Sequence, residues 1–102
     1  MFSFPDDAAW NEAEAAVEFG IELGEYRGRV FLPLRVIQGL VGSRPSPDEC
    51  LQHFHLERPR FERAAEARIR ARALDDDANI RLTGRDVRAR SEKEISTTKT
   101  PR

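Results

Sequence analysis

The sequence has few of the residues that build disulfide frameworks and membrane spans. It contains one cysteine, Cys50, so an intrachain disulfide is excluded. Its longest apolar run, around residues 30–34, is about five residues long, whereas a membrane-spanning helix needs about 20. The first residues also lack the basic stretch and apolar run of a signal peptide. These features predict a soluble cytoplasmic protein without a membrane partner.

The sequence is equally poor in residue groups that perform chemistry. Cys50 and His53 have a spacing that places them on one side of a helix, but four-ligand zinc sites need a second cluster of cysteines or histidines. Glycine-rich phosphate loops and convergent acid–base pairs are also missing. We therefore predict that the protein is not an enzyme, that it has no catalytic, cofactor-binding or metal site, and that it takes no small-molecule substrate.

Charge is abundant and unevenly distributed. Charged residues make up 34% of the chain and hydrophobic residues 39%, with a formal net charge of -1. Residues 1–50 carry a net charge of -5 and residues 51–102 a net charge of +4. This polarity could attract a charged partner, or the acidic half of one copy to the basic half of another.

Alternating apolar residues predict a β-hairpin in the first half of the chain. Residues 17–23 alternate between apolar and polar or small side chains, which is typical of a half-buried strand. A turn containing Gly24 and Gly28 follows, and residues 29–32 supply a second strand. Phe2 to Phe4 could form a short edge strand before Pro5, and residues 80–83 a final strand.

The helices are predicted from caps and from one apolar stripe. Pro33 precedes a short helix over residues 34–41, which Gly42 ends. Ser46, with a glutamate three residues later, begins a long helix that reaches about Leu74. Its apolar stripe consists of Leu51, Phe54, Phe61, Ala65 and Ile69. Pro59 lies opposite this stripe and predicts a kink or a break, of which we favour one kinked helix.

Together these elements predict a two-layer α+β domain. A mostly antiparallel sheet of three or four strands has one apolar face, and the short helix and the long, kinked helix cover it. Parallel pairing is not expected, and residues 6–16 have the composition of one or two helical turns. Residues 1–87 form the single compact domain, and residues 88–102 form a disordered charged tail because they contain too few apolar residues to fold.

Arg58 is the most informative charged residue, because it interrupts the apolar stripe between Phe54 and Phe61. A buried guanidinium needs a carboxylate or carbonyl partner, and Asp6 or Asp7, close to Trp10 in the sequence, are the candidates. Two interpretations follow. Arg58 ties the N-terminal segment to the helix, or it binds an anion. The candidate interaction or anion-binding residues are therefore Arg58, Trp10 and Asp6.

Two hypotheses for function remain. The first is a non-enzymatic interaction or regulatory module that binds a protein partner, or a second copy, through Trp10 or the outer face of the sheet. The alternative is a weak, salt-sensitive nucleic-acid binder that uses its basic C-terminal half. The nucleic-acid alternative rests on the arginines of the long helix, which are Arg58, Arg60, Arg63, Arg68, Arg70 and Arg72. Glutamates are interspersed among them, and neither an aromatic platform nor a recognition helix accompanies them.

Several short motifs resemble a small bacterial family, domain of unknown function number 1488. They are Ser3 to Asp6 followed by Trp10, residues 17–19, Cys50-Leu51 with Phe54, Arg58, Phe61 and Ala65, and the strand at residues 80–82. The likeness spans roughly residues 3–83. It implies a compact single-domain protein and supplies no activity. Pro59 and the extension from Gly84 onward differ from the simplest members.

Overall fold

A computed structural model describes residues 1–88, which form a sheet with helices packed on one face. The strands are β1 (Phe2–Ser3), β2 (Ala9–Asn11), β3 (Ala16–Leu23), β4 (Tyr26–Pro33) and β5 (Ile80–Arg81), and the helices are α1 (Leu34–Val41), α2 (Pro47–Leu56) and α3 (Arg58–Arg70). Residues 84–88 are also helical. The predicted α+β class and the mostly antiparallel sheet are confirmed.

The central hairpin of β3 and β4 forms as the alternation predicts. The two strands pair in full register from Ala16 opposite Pro33 to Leu23 opposite Tyr26. Gly24 takes a φ of 61° at the first loop position, where a two-residue hairpin of the II′ type requires glycine. The hairpin thereby presents one continuous apolar face.

One edge of β3 is covered by both N-terminal strands. Phe2 of β1 pairs with Leu23 of β3, and Trp10 of β2 pairs with Val17 of β3. Both pairings are antiparallel. The helix predicted over residues 6–16 is wrong, because pairing with β3 outweighs the helical propensity of this alanine- and glutamate-rich segment. The sheet consequently has five strands rather than the three or four expected.

The other edge of the sheet contains its parallel pair. Val30 and Phe31 of β4 lie opposite Ile80 and Arg81 of β5, so the expectation of no parallel pairing is wrong. A parallel arrangement needs a long crossover, and the helices between β4 and β5 provide it. The direction of β5 is therefore set by how the chain returns across the helical layer.

The core lies between the sheet and the helices, as predicted. Phe54 packs with its ring centroid 4.8 Å from that of Phe19 and 6.0 Å from that of Phe61, which joins the two layers. The fully buried large side chains are Phe19, Phe54, Phe61, Ile21, Leu32, Ile37, Ile80, Leu82, Val17, Val30, Val87 and Cys50. Within the predicted stripe, Leu51 and Ile69 are only partly buried.

The predicted long helix is two helices. α2 begins with the expected capping box, in which the Ser46 hydroxyl accepts from the Glu49 N–H and the Glu49 carboxylate accepts from the Ser46 N–H. It ends at Leu56, and Glu57 leaves helical geometry with φ -116° and ψ 25°. Pro59 then lies in the first turn of α3, where its missing N–H costs no hydrogen bond. The favoured single kinked helix is corrected to a break.

A second capping box closes the described part of the chain. Thr83 Oγ1 accepts from the Asp86 N–H, and the Asp86 carboxylate accepts from the Thr83 N–H. Asp86 also lies 2.8 Å from Nη1 of Arg68, which ties the helical residues 84–88 to α3. The predicted disordered tail, residues 88–102, lies outside the described residues except for Arg88.

Candidate functional site

An open groove runs between α1 and α2. α1 ends where Gly42 adopts a left-handed φ of 86°, and a short connection leads to the Ser46 cap of α2. The groove is an open cavity with a volume of about 250 Å³. Its lining combines Ile37, Val41, Pro45 and Leu56 with the polar residues Ser43, Glu49, Gln52 and His53. Half of the lining residues are therefore apolar and half are polar.

Leu56 is the most exposed apolar side chain of the groove. As the last residue of α2 before the break at Glu57, it is 81% exposed, and Val41 on the opposite wall is 42% exposed. A single exposed leucine is ordinary on a protein surface, but two exposed apolar side chains facing one cavity are more specific. Contact with another molecule would remove the apolar surface of Leu56 and Val41 from water, which is favourable.

The groove does not contain a nucleophile that is ready to react. Cys50, on α2, is fully buried, and burial in apolar surroundings raises the pKa of its thiol. The Glu49 carboxylate is used by the capping box. Nε2 of His53 is buried and lacks a hydrogen-bond partner within residues 1–88, and its ring lies 6.2 Å from that of Phe61. Together these residues can shape a surface, but they do not assemble a Cys–His couple.

Metal binding and membrane crossing find no support in residues 1–88. No group of three histidine, cysteine, aspartate or glutamate side chains within that range is arranged to hold a metal ion. None of the helices in the same range combines the length and apolar character that crossing a bilayer requires.

Arg58, the first predicted site residue, makes contacts in several directions. Its Nε lies 2.6 Å from the Glu62 carboxylate, Nη1 lies 3.4 Å from the Asp6 carboxylate and Nη2 donates to the Pro5 carbonyl at 3.4 Å. The guanidinium also lies 5.6 Å from the centre of the Phe54 ring. Hydrogen bonding to Glu62 is the main reason that the pKa of Arg58 is raised. Its nitrogen atoms are thus directed at protein groups.

Asp6 and Trp10 do not join Arg58 in one pocket. The Asp6 side chain is 90% exposed, and its carboxylate lies 3.4 Å from Nη1 of Arg58. Trp10, in β2, is partly buried against the core and donates from Nε1 to Glu12 at 2.7 Å. The second candidate partner for Arg58, Asp7, points elsewhere and pairs with Arg29. Asp6 and Arg58 therefore connect the N-terminal segment to α3, whereas Trp10 makes a separate contact at the edge of the sheet.

A polar network on the outer face of the sheet was not predicted. Arg29 lies 2.7 Å from Asp7 and 2.6 Å from Glu18, and Glu18 also accepts from Asn11 at 2.9 Å. The Asp7 carboxylate further accepts from the Gly20 N–H at 3.0 Å. Asp7 thereby satisfies an edge N–H of β3 between the pairings with β1 and β2. The alternation of apolar and polar residues places Glu18 and Arg29 on the polar face of the sheet, but no pattern in the sequence predicts that Asp7 contacts Arg29.

These contacts stabilise the ionised carboxylates. For Asp7, desolvation opposes ionisation, but hydrogen bonds from Arg29 and Gly20 outweigh it and lower the pKa. For Glu18, hydrogen bonds from Asn11 and then Arg29 lower the pKa. A second cluster lies nearby, where Arg81 is within 3.4 Å of carboxylates of Glu14, Asp75 and Asp77 and 4.9 Å from the centre of the Phe31 ring. The outer face is therefore occupied by internal ion pairs.

The arginines of α3 do not form an uninterrupted basic surface. Arg68 is only 17% exposed and is held by Asp86 and by the carbonyls of Ala73 and Arg81. Arg60 lies 3.6 Å from Glu57, and Arg70, which is 69% exposed, lies 3.8 Å from Glu66. The remaining positive charge on this helix is spread between carboxylates, which weakens any attraction for nucleic acid.

Comparisons with known proteins agree with this fold. The family model described as "Protein of unknown function (DUF1488)" matches residues 2–82. The crystal structure of a protein of unknown function from that family, from Shewanella loihica PV-4, superposes with a TM-score of 0.74 at 20% sequence identity, covering 79% of this chain and 90% of that chain. At this identity the likeness shows the fold alone. No curated protein matches this sequence.

Proposed function

Because the chain belongs to the DUF1488 family, whose description assigns no activity, we propose its function from its own surface: a small, non-enzymatic protein-interaction module. The supporting observation is the groove between α1 and α2, where Leu56 is 81% exposed at the edge of a cavity of about 250 Å³. Burying a leucine side chain contributes about 1.5–3 kcal/mol, so a partner that covered Leu56 would gain from its burial.

The groove supports this role better than the outer face of the sheet. On that face Arg29, Asp7 and Glu18 already pair with one another, and a partner would have to break these contacts to bind there. Trp10 is partly buried, and its indole N–H is bonded to Glu12. The alternative of weak nucleic-acid binding stays a prediction, and the interleaved carboxylates of α3 give it less support.

Affinity capture with matched variants tests the proposal. The full chain is immobilised as wild type, as Leu56→Asp and as Leu74→Asp, and bacterial lysate proteins that bind each are quantified by mass spectrometry. Leu74 is the control because it is 37% exposed and lies outside the groove. We expect a partner that wild type and Leu74→Asp retain and that Leu56→Asp loses. A partner profile that is identical for all three baits would refute the groove as the binding surface.

A further inference from the structure

We infer that a hollow beside the start of α1 binds a phosphate group, either as free phosphate or as part of a small phosphate monoester. The inference goes beyond the proposed function, because the hollow shares no lining residue with the groove between α1 and α2. Its volume is about 210 Å³. The turn before β3, the first residues of α1 and the connection to α2 supply its lining, which consists of Glu14, Ala15, Pro33, Leu34, Arg35 and Arg44.

Two arginines without a partner give the hollow its chemistry. Arg35 of α1 and Arg44 of the connection are exposed, and neither forms a hydrogen bond or an ion pair in the described part of the chain. A guanidinium presents its N–H donors in a planar fork that matches the oxygens of a phosphate or a carboxylate. Arg58, the anion-binding candidate from the sequence, differs because its guanidinium already contacts Glu62 and Asp6.

The end of α1 that borders the hollow adds to this positive charge. The Leu34 N–H donates to the Ala15 carbonyl at 3.0 Å, but no side chain caps the helix and its first turn contains no acidic residue. The N-terminus of a helix carries a partial positive charge, so a cation at the second helical position, Arg35, is unfavourable unless an anion lies close to it. Two arginines and a helix end therefore bring positive charge to one hollow.

The carboxylate that lines the hollow leaves both arginines available. The two oxygens of Glu14 lie 3.3 Å from Nε and 3.4 Å from Nη2 of Arg81, and Glu14 forms no ion pair with Arg35 or Arg44 within residues 1–88. A ligand with close to two negative charges would balance the two arginines, which favours phosphate over a singly charged carboxylate. Water takes about 30 Å³ per molecule in the liquid, so the hollow has room for a phosphate group and part of its carrier.

Titration of the full chain with inorganic phosphate, followed by NMR at constant ionic strength, tests this inference. We expect saturable shifts of the amide signals in the first turn of α1. Arg35→Gln and Arg44→Gln should each raise the dissociation constant for phosphate by about tenfold or more, because each removes a charged donor. The same spectra show whether each variant folds.

Arg63→Gln on α3 is the matched control. Arg63 is also exposed and forms no ion pair in the part of the chain that the structure describes, so its loss changes the net charge equally without touching the hollow. We expect this variant to bind phosphate as wild type does. A wild type without saturable shifts, or a dissociation constant that changes equally in all three variants or in none, would overturn the inference.

Two further ligands test the chemistry of recognition. Glycerol 3-phosphate should shift the same amides as inorganic phosphate, and whichever of the two binds more tightly identifies a monoester or free phosphate as the ligand. Acetate, which carries a single charge, should bind severalfold more weakly than either. Acetate that binds as tightly as phosphate would reject phosphate as the class of ligand.

Glu14→Gln tests the position of the bound phosphate. The substitution removes a negative charge from the lining of the hollow and hardly changes its size, so phosphate should bind more tightly than to wild type. An unchanged or higher dissociation constant would mean that phosphate does not bind beside Glu14, and the proposed site would be wrong.

Discussion

Two neighbouring aspartates, Asp6 and Asp7, have different structural roles. Asp7 pairs with Arg29 and accepts from the Gly20 N–H, whereas the Asp6 side chain is 90% exposed and reaches Arg58 only at 3.4 Å. We expect Asp7→Ala to lower the free energy of unfolding by about 1–2 kcal/mol, since it leaves the half-buried Gly20 N–H without an acceptor and Arg29 with Glu18 as its remaining carboxylate. Asp6→Ala is the matched control and should cost less than about 0.5 kcal/mol. Urea denaturation at neutral pH measures both.

The same comparison has a pH signature. The pKa of Asp7 is lowered in the folded protein, so its ionised form stabilises the fold above the unfolded-state pKa of about 3.9 and this stabilisation disappears as the pH falls through the lower, folded-state value. The difference in stability between wild type and Asp7→Ala should therefore shrink in acid. A difference that stays constant from pH 7 to about pH 2 would contradict the ion-pair explanation.

At the scale of an element, glycine has opposite effects in a strand and in a helix. A Cβ built on Gly20 in β3 would lie 2.7 Å from Nη1 of Arg29 and 3.1 Å from Cγ of Pro5. We expect Gly20→Ala to displace Arg29 from Asp7 and to destabilise the protein by about 1–2 kcal/mol. Gly39 in α1 has open space around its Cβ position, so Gly39→Ala should stabilise by about 0.5–1 kcal/mol. Thermal unfolding distinguishes them, and destabilisation by both would contradict this assignment.

Elements with local signals could be predicted from the sequence, and elements without them could not. The capping box at Ser46, the end of α1 at Gly42 and the β3–β4 hairpin each depend on residues that are close in the chain. β2 escaped prediction because the alanines and glutamates of residues 6–16, within which it lies, favour a helix and only pairing with β3 makes it a strand. Pro59 indicated an interruption, but the stripe on both sides of it fitted one kinked helix as well as two.

The candidate site depends on contacts between distant segments, which is why the sequence did not reveal it. Leu56 is not part of the apolar stripe of α2 and α3, because it lies about 200° around α2 from the buried Phe54. The cavity exists only because α1 folds back against α2. The contact between Asp6 and Arg58 was indicated in the sequence, because Arg58 is a charged residue within an apolar stripe. Its shorter contact, at 2.6 Å, is with Glu62.

At the scale of the whole molecule, the folded unit extends beyond the family match. The family model ends at residue 82, yet Val87 is fully buried and Asp86 holds Arg68. We expect a chain truncated after Val87, which lacks residues 88–102, to keep the unfolding temperature of the full chain. A chain truncated after Leu82 should lose about 3 kcal/mol or more, because it removes the buried Val87 and the Asp86 carboxylate, which leaves Arg68 with only the longer contact to Asp75 at 3.6 Å.

Calorimetry of the two truncated chains checks this prediction. Equal unfolding temperatures for both would mean that residues 83–87 contribute nothing to stability. A large loss on removing residues 88–102 alone would instead extend the compact domain beyond its predicted end at residue 87.

The parallel pairing of β4 with β5 has a consequence during synthesis. Arg29 and Asn79, which are hydrogen-bonded beside this pair, are 50 residues apart in sequence. As the chain leaves the ribosome, the hairpin can close early, but one edge of β4 stays unpaired until α1, α2 and α3 have been translated and Ile80 can pair with it. Nascent chains that end before residue 80 therefore present an unpaired edge of β4, to which a strand of another chain can pair.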